Sequence, residues 1–441
     1  MNNLKWSIFS RWYRGKNSDC VYNSLDASYV LFPERIERFE PGDDFFPRGL
    51  DPKTIDTLIS KNILCEKSQN EEDTFASLSH NKCNISNLNV LVTEKCNLMC
   101  SYCQITQNTE STKSMTVSIA KKVLDHFFLV SDKNSNLTIN ITGGEPLLNW
   151  RTVKYIIEYC KPYRSRCRVV MFTNAMLMTS EIAKYLSENN VFVIISFDGP
   201  KIVHDRNRKN GNKGSYDQAL VGYNLANQAG CKCAISAVAN EYSLSNTSAF
   251  SNWVVSMAPD SLGFNYPHLL LNSDRDCFDF SQYTKAVIYL HDEMQNNNIY
   301  FENFERFKKV FLERKIRLSE CQACGKGITV RPDGMVGPCK SLLVSDLECY
   351  LLDEYNFDTN NFLVKWAKRK TINDIKCRKC RALSICGGGC AYDSFIINNG
   401  DISKMDYRMC DYIKTIFNQI MEDLCDNKIA GYIEEIQSVG H

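Results

Sequence analysis

From Ile85 to about Asn297, short apolar and β-branched runs alternate with stretches in which apolar residues recur every three or four positions. The runs Leu88 to Val92, Leu137 to Ile141, Val169 to Phe172, Val191 to Ser196, Cys233 to Ala239 and Leu262 to Tyr266 predict strands. Between and after them, Thr116 to Val130, Trp150 to Tyr159, Ser180 to Asn189, Tyr216 to Gln228, Ser245 to Met257 and Phe280 to Asn296 predict amphipathic helices. A parallel return needs a helical crossover, so strands alternating with helices imply a parallel sheet. Six such units fall short of the eight of a closed barrel. The expected fold class is therefore α/β, with a partial (β/α)6 barrel over residues 87–310.

The flanks read differently. Residues 1–86 form a small α+β unit in this reading: Tyr29 to Phe32 is a short strand, and Leu50 to Ile63 is a helix with Asp51 as N-cap and Pro52 at its first position. Ile55, Leu58 and Ile59 share one face of that helix. Trp6, Phe9, Trp12 and Tyr13 read as core, and the polar stretch Ser68 to Asp73 as a linker. Over 311–411 cysteines cluster between Gly-rich turns, Gly334 to Pro338 and Gly387 to Gly389, as in a metal scaffold. Residues 412–441 end the chain, with Tyr412 to Ile436 expected as one or two packed helices.

Composition narrows the function. The 441 residues carry 52 Lys and Arg against 51 Asp and Glu, a net charge of +1, so no global field attracts nucleic acid or an acidic membrane. The longest apolar run, Val191 to Phe197, is too short to span a bilayer, and no apolar signal region follows Lys5. A soluble cytoplasmic protein is expected. Against that background, 21 cysteines beside six histidines are abnormal. A reducing cytosol disfavours disulfides, which leaves thiolate ligation of zinc or iron-sulfur clusters.

The loop after the first predicted strand holds Cys96, Cys100 and Cys103. Three thiolates can hold three irons of a cubane and leave the fourth open to a small molecule, and the loop sits at a strand's carboxyl end, where such folds place their chemistry. Buried cysteines gathered by chance are the bland alternative. The second strand ends in Thr142-Gly143-Gly144-Glu145-Pro146: the glycines permit close backbone approach, and Glu145 offers an anionic acceptor to an ammonium. The third strand ends in Thr173-Asn174 and the fourth in Ser196-Phe197-Asp198-Gly199.

This CxxxCxxC loop with Tyr102 before its last cysteine resembles the signature of the radical S-adenosylmethionine superfamily, and residues 143–146 resemble its GGEP motif. The resemblance, spanning about residues 85–410, implies S-adenosyl-L-methionine held on the open iron and cleaved to a 5′-deoxyadenosyl radical that abstracts a substrate hydrogen. It further implies cofactor contacts from Gly143, Gly144, Glu145 and Pro146, from Thr173 and Asn174, and from Ser196 and Asp198. His204 to Arg208 followed by Gly214-Ser-Tyr resembles peptide-modifying members, with Arg208 toward the cofactor carboxylate.

Downstream, Cys324, nine residues, Gly334, four residues, Cys339, then Cys377-x2-Cys380-x5-Cys386-x3-Cys390 and Cys410 resemble the seven-cysteine SPASM pattern. That resemblance implies two auxiliary clusters: Cys321, Cys324, Cys339 and Cys390 for one, with Cys349 an alternative, and Cys377, Cys380, Cys386 and Cys410 for the other. The total is three [4Fe-4S] clusters. A pair of structural zinc sites is the plainer alternative. The ten cysteines that remain show no ligand-like grouping and read mostly as small buried apolar residues.

SPASM enzymes mostly modify peptides, so the resemblance implies a maturase that cross-links a ribosomally made precursor peptide through a carbon-carbon or thioether bond. A flavodoxin- or ferredoxin-type protein would donate electrons, and the N-terminal unit, similar in content to the winged-helix-like domain of relatives, would hold the precursor's leader. An anaerobic sulfatase maturase is the second enzyme reading, although those enzymes carry an acidic residue where Lys340 follows Cys339 here. A non-catalytic zinc or iron-sulfur binding module is the reading from another class.

Overall fold

Along Leu137–Thr142, buried and half-buried residues alternate, as a strand whose two faces meet different surroundings requires. It pairs in parallel with Asn87–Leu91 on one side and Cys167–Thr173 on the other. Phe192–Ser196, Cys233–Val238 and Ser261–Asn265 follow in order, all parallel. These are the six strands read from the sequence, within two residues at each end. Helices Tyr216–Gln228 and Phe280–Asn296 have the predicted bounds, and Val117–Val130 starts one residue later because Thr116 caps it, accepting from the Ile119 N–H. The computed structural model describes residues 3–44, 50–79, 83–105, 113–270, 278–352, 362–426 and 428.

The sheet is larger than expected. Tyr300–Phe301 extends one edge, while Gly327–Val330 joins the other in parallel with Asn87–Leu91, followed by antiparallel Met335–Gly337 and Tyr350–Leu351. The ten strands form an open ladder. The Cys-rich segment thus shares the sheet and its core: Ile328, Val330 and Val336 are buried in one cluster with Leu88, Val90 and Ile139.

The N-terminal unit has a three-stranded antiparallel sheet of Ser10–Arg14, Asp19–Asn23 and Tyr29–Phe32, a two-stranded ladder of Leu4–Trp6 with Leu64–Glu66, and the helix Pro52–Ser60 capped by Asp51. Trp6 is fully buried and stacks on Phe39 at 3.7 Å. A second contact plants Phe9 and Leu25 against Ile372 and Leu383 of the Cys-rich segment. The linker expected at Ser68 to Asp73 is instead a fastening: Glu71 is buried, accepts from the Ser7 hydroxyl and from the Ile8 N–H at 3.1 Å, and leads into helix Glu72–Ser79. Polarity there reflects a buried carboxylate with partners, not solvation. The final helix runs Cys410–Cys425, and the rest of its predicted span, 429–436, lies outside the described residues. No helix is long and apolar enough to cross a membrane, among the described residues.

Candidate active site

The cysteine loop leaves the first core strand at Thr93, whose hydroxyl accepts the Lys95 N–H at 3.2 Å and meets the Ser114 hydroxyl at 2.8 Å. Cys96 Sγ accepts the Leu98 N–H at 3.4 Å. Cys100 lies on a two-residue strand, Met99–Cys100, that places it directly across from Arg208. The Cys103 N–H donates to the Cys100 carbonyl at 3.1 Å. The three thiols are near enough to repel one another when charged. Burial pushes Cys96 up to about 12 and Cys100 up to about 11, the latter against the pull of Arg208. Thiols held this way ionise when a metal takes them as ligands.

Spacing separates a cluster from a single ion. Tetrahedral zinc needs sulfurs roughly 3.8 Å apart, from bonds of about 2.3 Å. Among the described residues no three cysteine sulfurs lie within 4.8 Å of one another; the one grouping that tight is His268, Cys390 and Asp393. None of the cysteine sets is gathered that tightly, among the described residues.

Packing in its own right requires Gly143 and Gly144. A Cβ on Gly143 would sit 2.3 Å from the Thr93 carbonyl oxygen, and one on Gly144 2.2 Å from that of Lys95. The turn packs on the root of the cysteine loop, with the Gly144 N–H donating to Thr93 and the Glu145 N–H to Lys95, each at 2.8 Å. Glu145 is likewise already engaged. Its buried carboxylate accepts from the Leu147 N–H at 3.1 Å, the Thr173 hydroxyl at 2.7 Å and the Asn174 N–H at 2.8 Å. It therefore joins the second and third strand ends, while Asn174 Nδ2 donates to Asn97 Oδ1 of the cysteine loop at 2.7 Å. Pro146 opens a short 3-10 turn that Glu145 caps.

Asp198 organises the other wall. Fully buried, it accepts from the Tyr102 hydroxyl at 2.6 Å, from Arg208 Nη2 at 3.2 Å and from the Val238 N–H at 3.2 Å, with Arg208 Nε 3.1 Å away. Arg208 lies over the Tyr102 ring at 5.5 Å. Burial works against the guanidinium's charge, but Asp198 outweighs it and raises the pKa. Ser196 ends the fourth strand, half-buried, with Ser236 across from it. His204 is a core histidine: burial lowers it to about 4, and its Nε2 meets the Ser215 hydroxyl at 3.0 Å.

The downstream cysteines form two groups of near neighbours. Cys321 is held well above the usual thiol range by burial and by Cys324, Cys339 and Cys390. Cys377 is raised by burial and by nearby Asp374, Cys386, Cys380 and Cys410. Cys349 has Arg331, Asp346 and Asp333 as its charged neighbours and joins neither set. Of the unassigned cysteines, Cys20, Cys65, Cys160, Cys167, Cys231, Cys233 and Cys425 are buried, Cys83 is half-buried, and Cys277 lies outside the described residues. The turn Gly387-Gly388-Gly389 has φ of 66°, 81° and 73°.

Three features escaped the sequence. Arg369, buried, donates to the Gly388 carbonyl at 2.7 Å and places its charge near Cys324 and Cys390. Gln104 donates to the Leu269 carbonyl at 3.2 Å and accepts from the Ser341 hydroxyl at 2.6 Å, tying the first cysteine loop to the segment after Cys339. Beside that bridge, His268 Nδ1 meets buried Asp393 at 3.1 Å, and Asp393 also accepts the Leu269 N–H at 3.0 Å. His268 keeps 48% of its side-chain surface exposed. Burial opposes its charge, and Asp393 outweighs burial to raise its pKa.

Residues 90–240 match the Radical SAM superfamily model. The chain is 24% identical over 405 residues to the radical SAM cyclopropyl synthase TigE of Paramaledivibacter caminithermalis, covering 83% of this chain and 82% of that protein. It is 24% identical over 324 residues to the cysteine-type anaerobic sulfatase-maturating enzyme of Clostridium novyi, covering 67% and 84%. In fold it is similar to anSMEcpe with bound AdoMet, with a TM-score of 0.67 at 20% identity over 79% of this chain and 98% of that one. It is similar as well to Streptococcus suis SuiB bound to precursor peptide SuiA, with a TM-score of 0.56 at 14% identity over 91% and 98%. A strand-end loop of three neighbouring thiols on a mostly parallel α/β sheet, lying within the matched span, marks residues 90–240 as a radical SAM domain.

Proposed function

We propose that this chain matures a precursor peptide by closing an intramolecular cross-link, carbon-carbon or thioether. The observation that carries the reading is the bridge through Gln104 that ties the Cys96–Cys103 loop to the segment after Cys339, with half-exposed His268 beside it. A substrate side chain entering there lies between the first cysteine set and an auxiliary one.

Cys96, Cys100 and Cys103 would hold the radical cluster, whose open iron takes S-adenosylmethionine. Bound together, these groups supply one-electron chemistry that removes a hydrogen atom from a substrate side chain. The chain's own residues fix the geometry. Glu145 clasps the strand ends beneath the loop, and the Tyr102–Asp198–Arg208 group holds the loop's far side. Gly143, Gly144, Pro146, Thr173, Asn174 and Ser196 then act on the cofactor through backbone and shape. Cys321, Cys324, Cys339 and Cys390 would hold one auxiliary cluster, with Arg369 as a buried counter-charge, and Cys377, Cys380, Cys386 and Cys410 the other.

SuiB's bound precursor peptide supports a peptide substrate, and the cyclopropyl synthesis for which TigE is named supports ring closure. The similarity to sulfatase maturases supports the second reading, a formylglycine-forming enzyme. Exposed Lys340, where those enzymes carry an acid, favours the cross-link, because an ammonium cannot accept the proton of the residue being oxidised. The reduced enzyme should be incubated with a precursor peptide encoded beside its gene and with a Cys-type sulfatase peptide. Loss of two hydrogens with a ring in the precursor is expected. An aldehyde on the sulfatase peptide, with no ring in the precursor, overturns the assignment.

A further inference from the structure

We infer that the surface carrying Cys377 and Cys380 is the docking site for a small acidic electron-transfer protein. The inference rests on the reading that these thiols belong to an auxiliary cluster. The chain as a whole is nearly neutral, at +1, yet Lys376, Arg378, Lys379 and Arg381 fall within six consecutive positions that contain no acid and interleave with the two cysteines. Lys376, Lys379 and Arg381 are exposed, and both cysteines reach partway to the surface.

The neighbouring geometry fits a protein partner. Ile375 is 75% exposed at the start of the basic run, an apolar centre within a charged rim. A groove of about 660 Å³ opens beside it, lined by Phe9, Arg11, Trp12, Ile375, Arg378 and Lys379 among others. Arg11 lies near enough to Cys380 to feel its charge. Among the described residues the carboxylates at this face include Glu40, Glu72 and Asp374, and exposed Asp411 beside Cys410, 3.9 Å from Lys414. Asp374 is occupied by the Lys376 and Cys377 N–H groups and the Tyr407 hydroxyl, and Glu72 is 3.9 Å from Arg378. Cations therefore dominate the rim.

Charge complementarity selects the occupant. Transient electron-transfer encounters use small interfaces and rely on steering between opposite charges. An acidic ferredoxin or flavodoxin would be drawn to this rim and bring its redox centre up to a face where cluster ligands lie.

The test uses the reconstituted full chain, an acidic low-potential ferredoxin with its reductase, and dithionite as a chemical donor. Ferredoxin binding, read by calorimetry, should weaken as salt rises. The K376E/K379E/R381E variant, with iron content unchanged, should bind about tenfold or more weakly at low ionic strength. Ferredoxin-driven 5′-deoxyadenosine formation should fall in step while dithionite-driven formation stays level. Unchanged ferredoxin affinity overturns the docking site, as does a loss of affinity for a precursor peptide instead. If the triple variant loses iron, the milder K376Q/K379Q pair must show a smaller weakening of the same sign, and none overturns the inference. Absence of dithionite-driven cofactor cleavage in the unaltered enzyme, with the binding difference intact, defeats the radical reading and leaves the surface standing.

Discussion

Replacing Asp198 with Ala should destabilise the protein by about 3 kcal/mol or more and loosen the first cysteine loop. The carboxylate is fully buried and accepts from Tyr102, Arg208 and Val238 at 2.6, 3.2 and 3.2 Å. Its removal leaves a guanidinium that is only 10% exposed without its counter-charge, and breaking a buried pair from one side costs about 3–5 kcal/mol. The orphaned Tyr102 hydroxyl and Val238 amide each add about 1–3 kcal/mol where water cannot reach them, although groups in one network do not add fully. In urea, with a slope of about 3 kcal/mol/M, the midpoint of the cluster-free protein should fall by about 1 M. Tyr102 stands between Cys100 and Cys103, so iron held by that loop should fall as well. Asp198→Asn, which keeps the shape and an acceptor for Tyr102, should lie between the two. A midpoint within about 0.2 M of the unaltered protein, with full iron, would refute the reasoning.

Gly144→Ala puts a methyl 2.2 Å from the Lys95 carbonyl oxygen, where only backbone can yield; a loss of about 3 kcal/mol and reduced iron retention are expected by denaturation and iron assay, and wild-type values of both would count against the packing described. His204 is held neutral in the fold, near 4, so between that value and about 6.5 the unfolded chain binds more protons and stability rises with pH. It should contribute about 2 kcal/mol less at pH 5 than at pH 7, and His204→Gln should flatten that slope; parallel pH–stability curves would exclude the assignment. His268→Gln should leave dithionite-driven cofactor cleavage within about twofold while slowing peptide product formation by about tenfold or more, as loss of a group that orients substrate requires. Equal losses in both assays would place His268 with the cofactor instead.

Local pattern carried much of the fold. Tyr216–Gln228 and Phe280–Asn296 could be read residue by residue, because helical period and cap chemistry are short-range. Cysteine spacing likewise anticipated which downstream thiols lie near one another, since Cys321 and Cys324, and Cys377, Cys380 and Cys386, are close in sequence. What could not be read depends on long-range partners. The motif that holds Glu145 gives no sign that Thr173 and Asn174, 28 and 29 residues on, donate to its oxygens. Asp393 and His268 are 125 residues apart, and Gln104 and Ser341 are 237 apart. Glu71 in the supposed linker fails for the same reason, since a buried carboxylate and a solvated one look alike until the partner, here Ser7, is known.

Whether Cys96, Cys100 and Cys103 hold the catalytic cluster, apart from two others, is decided by replacing all three with Ala and measuring iron and 5′-deoxyadenosine on the same anaerobic preparation. With about twelve irons in the intact enzyme, the triple variant should keep about two thirds of them and form no 5′-deoxyadenosine under dithionite. Unchanged cofactor cleavage, or loss of all iron, would contradict the assignment.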